Sequence, residues 1–282
     1  VYKPVRGTKD IWGDDKKIQT LLGQLLRRQA ELFGYSEIET PIFEHTAVFH
    51  RLGESSDVLS KETYTFQDRG QDSLTLRPEG TAAVVRAIIS NGLTQDLPGK
   101  YYYMGPMFRY DRPQKGRYRQ LNQFGVELIG VDHYLGDVEI INLVHDIMCQ
   151  LDLNDRIDLE INTLGDTSCR QNYQQVLQTY LSRFESDLSA DSQRRLHTNA
   201  LRILDSKDSG DQKIIADAPL YQDHLSSASK VYFDQVLNCL TKLGINYILN
   251  PKLVRGLDYY CHTVFELTAQ ELGAQKSVAA GG

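Results

Sequence analysis

"KYYYMGPMFRYDRPQKGRYRQLNQFGVELIG" occupies residues 100–130 and reads as two strands joined by a polar loop. "KYYYMGPMFRYD" and "RQLNQFGVELIG" are rich in aromatic and branched residues, and "RPQKGRY" supplies turn residues, so a long hairpin is expected. Strand side chains alternate between faces. Arg119, Leu121, Gln123, Gly125 and Glu127 therefore share one face, and Asn122, Phe124, Val126 and Leu128 the other. The second set is the better core-facing set. On the first face Gly125 separates Gln123 from Glu127 and leaves room for something to approach the sheet. Met107, Arg109 and Asp111 share a face of the preceding strand, so a regular hairpin brings Arg109 near Gln123 or Glu127.

The loop is basic although the chain is acidic. The formal net charge is −6, yet residues 109–119 hold Arg109, Arg112, Lys115, Arg117 and Arg119 against Asp111. Two readings stand. One is a solvated sheet face with surface ion pairs, which are worth little. The other is a polar pocket floor under a cationic lid, since the arginine fork donates in pairs to phosphate and stays charged.

Outward from the hairpin, the pattern alternates between helices and strands. Ile18, Leu21, Leu22, Leu25, Leu26 and Leu32 recur at helical spacing, with Asp14 or Asp15 as cap and Gly34 as stop. "SEIETPIFE" is extended, with Pro41 unsuited to a central strand position. "TYTF" and "SLTL" form a second hairpin around "QDRGQD". "TAAVVRAIISNG" and "DVEIINLVHDIMCQLDL" read as helices, and "RIDLEINTLG" as a strand. Residues 166–246 change texture to polar helical pattern, with nine Lys/Arg and ten Asp/Glu. Strand character returns at "INYILNP" and in "LVRGLDYYCHTVFELTAQ", with a bend at Gly256. This order fits an α+β sheet domain interrupted by a mostly helical insertion. The expected divisions are 1–165 and 247–282 for the core and 166–246 for the insertion.

The 282 residues are 41% hydrophobic, enough for one large domain or two ordinary ones. No run approaches the roughly 20 apolar residues of a membrane span, and the start lacks a signal-peptide core, so a soluble cytoplasmic protein is expected. Cys149, Cys169, Cys239 and Cys261 form no CxxC pair, and the seven histidines are scattered, so no metal site built from cysteines or histidines is expected.

Two further stretches read as pocket walls. "LRPEGTA" sets Glu79, Gly80 and Thr81 at a strand-to-helix junction. Either Thr81 caps the helix, or an acid and a hydroxyl face a cationic amine. In "LVRGLDYYCHTVFE", Arg255 sits among apolar residues, where an unpaired guanidinium is costly. Tyr259 and Tyr260 follow, a pair that more commonly packs than recognises. There is no phosphate-loop lysine motif, GxGxxG fingerprint or nucleophile elbow.

Taken together these stretches resemble the class II histidyl-tRNA synthetases. "GYSEIETPIFE" is similar to motif 1, the dimer-interface segment with its proline. "FRYDRPQKGRYRQLNQFGVE" is similar to motif 2, the strand–loop–strand that holds ATP and the tRNA acceptor end. "LRPEGTA" and "LVRGLDYYCHTVFE" resemble the two histidine-site signatures, the latter being the more particular to histidyl enzymes. The resemblance implies an antiparallel sheet flanked by helices, with activation of L-histidine by ATP with Mg²⁺, then transfer to histidine tRNA, in a homodimer. It implies that Glu79 and Thr81 hold the α-amino group, that Gly80 belongs to the same histidine site, and that Gln123 lies near the carboxylate. Glu127, Tyr259 and Tyr260 would read the imidazole. Arg109 and Arg255 would flank the α-phosphate, making Arg255, Arg109 and Gln123 the catalytic set. Asp111, Arg117 and Leu121 complete the ATP side, with Leu121 where some relatives carry an aromatic residue that stacks on adenine. A family member would continue past Gly282 into motif 3 and an anticodon-binding domain, so a truncated catalytic region is expected. Rival expectations are a histidine-binding regulator of an ATP phosphoribosyltransferase and an inactive fragment. The regulator has no need of phosphate-gripping arginines.

Overall fold

The computed structural model describes residues 2–50, 62–111, 116–255, 259–272 and 276–282. Arg112, Lys115, Gly256 and Asp258 lie outside the described residues. The fold is α+β, in two compact units: Val1–Asp152 with Leu272–Gln275, and Leu153–Glu271 with Lys276–Gly282. No helix among the described residues is long and apolar enough to cross a membrane.

The first unit opens with α1 (Gly13–Leu32) and short strands β1 (Ser36–Glu37) and β2 (Phe43–His45). A short helix α2 (Thr46–His50) precedes the hairpin of β3 (Tyr64–Gln67) and β4 (Ser73–Leu76). Helix α3 (Thr81–Ser90) leads to the long hairpin of β5 (Gly99–Phe108) and β6 (Gln120–Ile129), and α4 (Tyr134–Gln150) closes the unit. Two sheets result. β5 pairs antiparallel with β6 and parallel with β1. β4 lies between β2 and β3, antiparallel to both. Pro41 falls between β1 and β2, outside either ladder. Buried Arg77 ties the two sheets: its Nε donates to the Pro106 carbonyl at 3.0 Å and its Nη1 to the Thr40 carbonyl at 2.8 Å.

Helix α1 departs from its sequence reading in two ways. Asp14 and Asp15 lie in the first turn, while Trp12 holds the cap position without a side-chain bond. The acids still favour the helix N-terminus electrostatically. More consequentially, much of the apolar stripe faces outward, while Leu25 and Leu26 are half-buried. Ile18, Leu21 and Leu32 are 63%, 65% and 68% exposed, and the buried positions are Gly23, Gln29 and Ala30. Gly23 permits this seating, because a Cβ there would lie 3.0 Å from Met104 Cε of β5.

The second unit contains β7 (Asp158–Thr163), α5 (Thr167–Leu181), α6 (Ala190–Thr198), α7 (Ser209–Ala216) and α8 (Ser227–Lys242). It ends in β8 (Ile248–Leu249), β9 (Thr263–Thr268) and β10 (Ser277–Gly281). Its sheet has the order β10–β9–β7–β8, with β7 and β8 parallel and the other pairs antiparallel. One apolar cluster joins Tyr173, Leu177 and Leu196 of the helices to Leu253, Val254 and Val264. Val264 ties β9 to that core, and β7 follows through its pairing with β9, so both strands group with the helical segment. Among the described residues of "LVRGLDYYCHTVFE", strand structure begins at Thr263. His262 before it has φ 53°, a left-handed conformation that interrupts a ladder.

Candidate functional site

The site in the first unit is built on one face of the β5–β6 hairpin and the start of α3. The register pairs Tyr101 with Glu127, Tyr103 with Gly125, Gly105 with Gln123 and Met107 with Leu121. This face packs beneath α3 at its two ends. Leu121 and Ile129 join Val84, Ile88, Tyr103 and Met107 in an apolar cluster, with Gln123 and Glu127 between. The other set, Asn122, Phe124, Val126 and Leu128, is therefore not the sole core face. Its Phe124 ring contacts Tyr102, with centroids 6.1 Å apart.

The space above Gly125, expected to admit an incoming group, is occupied by Tyr103. A Cβ on Gly125 would lie 2.3 Å from the Tyr103 ring, and one on Gly80 would lie 2.2 Å from it. Both glycines thus admit the same buried phenol. Strand alternation carried the signal for Tyr103, since it shares a face with Gly105 and Met107. The cross-strand register that sets it opposite Gly125 was needed to find it.

The polar side chains form a connected network. Glu79, rather than Thr81, caps α3: its carboxylate accepts from Thr81 N at 2.6 Å and Ala82 N at 2.9 Å. Thr81 begins the helix proper, and its hydroxyl donates to Glu127 Oε1 at 2.6 Å. Gln123 Nε2 donates to the Tyr103 hydroxyl at 3.2 Å. Burial raises the Glu79 pKa, opposed by the N–H groups of Ala82 and Thr81, the Thr81 hydroxyl and the charge of Arg109. Burial also raises Glu127, to about 7, opposed by Thr81 and Tyr103 and reinforced by the charge of Glu79. Glu127 retains some open surface, but its carboxylate is enclosed, and the enclosure governs its titration. Burial, then the charges of Glu127 and Glu79, hold the Tyr103 phenol well above its ordinary value. Two enclosed carboxylates that repel each other make a site complementary to a cationic amine.

The expected cations are differently placed. Arg109 N donates to the Arg119 carbonyl at 2.9 Å, which sets Arg109 across from Arg119 rather than beside Gln123 or Glu127. Its Nε donates to the Pro78 carbonyl at 2.8 Å, and its charge is felt at Glu79. Arg117 Nη1 bonds Asp111 Oδ1 at 3.2 Å. Arg119 lies 3.9 Å over the Tyr110 ring, and its Nε donates to the Asp111 carbonyl. Asp111 thus organises two loop arginines, and Leu121 belongs to the cluster under α3.

Arg255, Tyr259 and Tyr260 belong to the second unit. The two tyrosine rings stack at 4.6 Å, and the Arg255 guanidinium lies 5.8 Å from the Tyr260 ring. Arg255 Nη1 bonds Glu266 Oε2 at 3.2 Å. No group of three or more His, Cys, Asp or Glu able to hold a metal ion occurs among the described residues.

A family model described as histidyl-tRNA synthetase matches residues 7–282. The histidine–tRNA ligase of Gluconobacter oxydans is 50% identical over 281 residues, 99% of this chain and 68% of its own length. That of Rhodospirillum rubrum is 52% identical over 281 residues, with the same shares. The apo histidyl-tRNA synthetase of S. aureus superposes with a TM-score of 0.75 at 40% identity, over 95% of this chain and 62% of that one. A Bacillus halodurans protein described as an ATP phosphoribosyltransferase regulatory subunit/histidyl-tRNA synthetase has a TM-score of 0.71 at 20% identity, over 100% of this chain and 75% of that one, a likeness of fold alone. The chain spans about two thirds of the length of the curated relatives it matches.

Proposed function

Because the chain belongs to the histidyl-tRNA synthetase family, we propose that it activates L-histidine with ATP and transfers the histidyl group to histidine tRNA. The observation that carries this reading is the Glu79–Thr81–Glu127 network, whose enclosed carboxylates suit a ligand with an ammonium group and a ring N–H. Glu79, Gly80 and Thr81 receive the α-amino end, with Gly80 contributing the space that Tyr103 fills. Gln123 serves the carboxylate end, and Glu127 with Tyr259 and Tyr260 reads the imidazole. A site built for such bonds rejects an isostere lacking them by about 10⁴-fold or more.

Adenylate formation joins a histidine carboxylate oxygen to the α-phosphorus and releases pyrophosphate. Such in-line displacement requires positioning and charge neutralisation. Arg109 and Arg255 supply cations at the α-phosphate. Arg117, oriented by Asp111, serves the outer phosphates, and Leu121 borders the adenine. Mg²⁺, when bound together with ATP, would supply further charge neutralisation at its phosphates. Arg109, Arg117 and Arg255 together favour a synthetase over a histidine-binding regulator. Residues 1–165 and 247–282 form the functional core, 166–246 the insertion, and the setting is the cytoplasm. The exposed α1 stripe, with Trp12 82% and Phe43 53% exposed, supplies an apolar surface for a homodimer.

Calorimetric titration with histidine, with and without ATP, tests the reading. Binding by the parent and a large loss in Glu127→Gln are expected. Absence of heat from either ligand identifies an inactive fragment, and an unchanged affinity in Glu127→Gln refutes the assigned imidazole contact.

A further inference from the structure

Arg255 is fixed by a partner on β9. Its Nη1 donates to Glu266 Oε2 at 3.2 Å, and both side chains are 22% exposed. Its Nε–H is buried and has no acceptor among the described residues. Buried donors without partners are rare in native folds, so the guanidinium retains an unused, desolvated donor. Glu266 stands directly opposite Glu160 in the β7–β9 ladder. Like charges in that arrangement repel. Glu160 is engaged separately, accepting from Asn250 Nδ2 and from the Thr268 hydroxyl. Glu266 is thereby left to Arg255, the cation that offsets the repulsion. An exposed ion pair would be worth little. This pair is largely shielded, and it constrains a planar fork at one of its nitrogens.

We propose that Glu266 is a positioning residue for adenylate formation, orienting the Arg255 guanidinium so that its remaining N–H donors are kept for a substrate phosphate oxygen. The inference rests on the functional reading above. Glu266 acts through Arg255 and does not touch substrate. Its loss therefore affects the chemical step and leaves histidine affinity nearly intact, a separation that a merely structural ion pair does not produce.

The test measures single-turnover adenylate formation by the whole chain at saturating histidine and ATP, together with histidine affinity and thermal stability. Glu266→Ala is expected to slow the step by about 10²-fold, the scale of a small misplacement, with histidine affinity changed less than about threefold. Glu266→Gln, which keeps an acceptor oxygen in place, recovers most of the rate. Arg255→Ala with Glu266→Ala is no slower than Arg255→Ala alone, because both act through one group. Where Glu266→Ala does not fold, Glu266→Asp provides the measurement. It keeps the charge, withdraws the carboxylate by one methylene and is expected to be slow. A folded Glu266→Ala or Glu266→Asp that reacts at the parental rate overturns the inference, as does an additive loss in the double variant. A parent chain that forms no histidine-dependent adenylate overturns the functional reading and this inference with it. An active parent insensitive to Glu266 overturns the inference alone.

Discussion

Glu127, like Glu79, is a carboxylate of the first unit's site whose pKa burial raises. Its pKa of about 7 in the fold, against an ordinary 4.5, arises first from burial. A carboxylate raised in this way takes up a proton on folding between those values. Its cost to the folded state therefore grows as pH rises from 4.5 to about 7 and is complete above that window. A ligand that donates an N–H or carries positive charge favours the ionised form. Histidine affinity should accordingly rise with pH toward 7. The ring of free histidine titrates in the same range, near 6.5. Glu127→Gln is the control, because it keeps the ring's titration and removes the carboxylate's. Calorimetry from pH 5.5 to 8 should show a steeper dependence in the parent than in the variant, and equal slopes would assign the titration elsewhere. The same face makes a packing prediction. Gly125→Ala would drive a Cβ into the Tyr103 ring, and overpacking of this kind costs about 1–3 kcal/mol. In a Tyr103→Ala background that cost should largely vanish in urea unfolding. An equal cost in both backgrounds would show that Tyr103 is not the obstacle. The carboxylates, Gln123 and Thr81 were legible in the sequence because strand alternation and a strand-to-helix junction put polar residues where apolar ones are usual. Tyr103 was not, because its role depends on two glycines, 45 residues apart in the chain, that meet around one ring.

Among elements, α1 separates the existence of a helix from its orientation. The i, i+3, i+4 spacing marks the helix clearly, and its span is Gly13–Leu32. Periodicity cannot distinguish a face turned to the chain's own core from one turned to another chain. Here the exposed stripe of Ile18, Leu21 and Leu32 fits the second role. Ile18→Asp combined with Leu21→Asp should convert a dimer into a monomer in sedimentation velocity while the secondary structure persists. A parent already monomeric at micromolar concentration, or a dimer unaffected by the pair, would contradict the assignment. The β5–β6 hairpin was the most legible element, since both strands and the loop between them follow from residue type alone. The opening of α3 was less so: the cap comes from Glu79, whose longer side chain folds back to Thr81 N and Ala82 N, a geometry for which Thr81 had been the simpler candidate.

At the scale of the whole molecule, the texture change after residue 165 marked the helical segment, but not the company it keeps. Val264 of β9 and Leu164, just after β7, share its apolar cluster, and β7 pairs with β9, so both strands group with it in the second unit. Within that unit Asp211 is fully buried, accepting from Ser189 N at 2.8 Å and from the hydroxyls of Ser189, Ser192 and Ser206. Burial opposes its ionisation, and these hydrogen bonds outweigh the burial and lower its pKa. The carboxylate therefore stabilises the fold above its unfolded pKa and loses that contribution as pH falls through its folded one. Asp211→Ala strands several donors, and each costs about 1–3 kcal/mol. Thermal melting should fall by several degrees, and an unchanged melt would show that the cage is dispensable. The sequence offered no sign of this cage, because its three serines are ordinary in polar helical segments.

The proposed function assigns histidine activation to the Glu79–Thr81–Glu127 network and the arginines. Its most direct test is exchange of labelled pyrophosphate into ATP, measured with and without histidine in the parent and in Arg255→Ala. Exchange is expected to depend on histidine in the parent and to be crippled in the variant, with histidine affinity largely spared. Exchange that proceeds equally without histidine, or equally in Arg255→Ala, would contradict it.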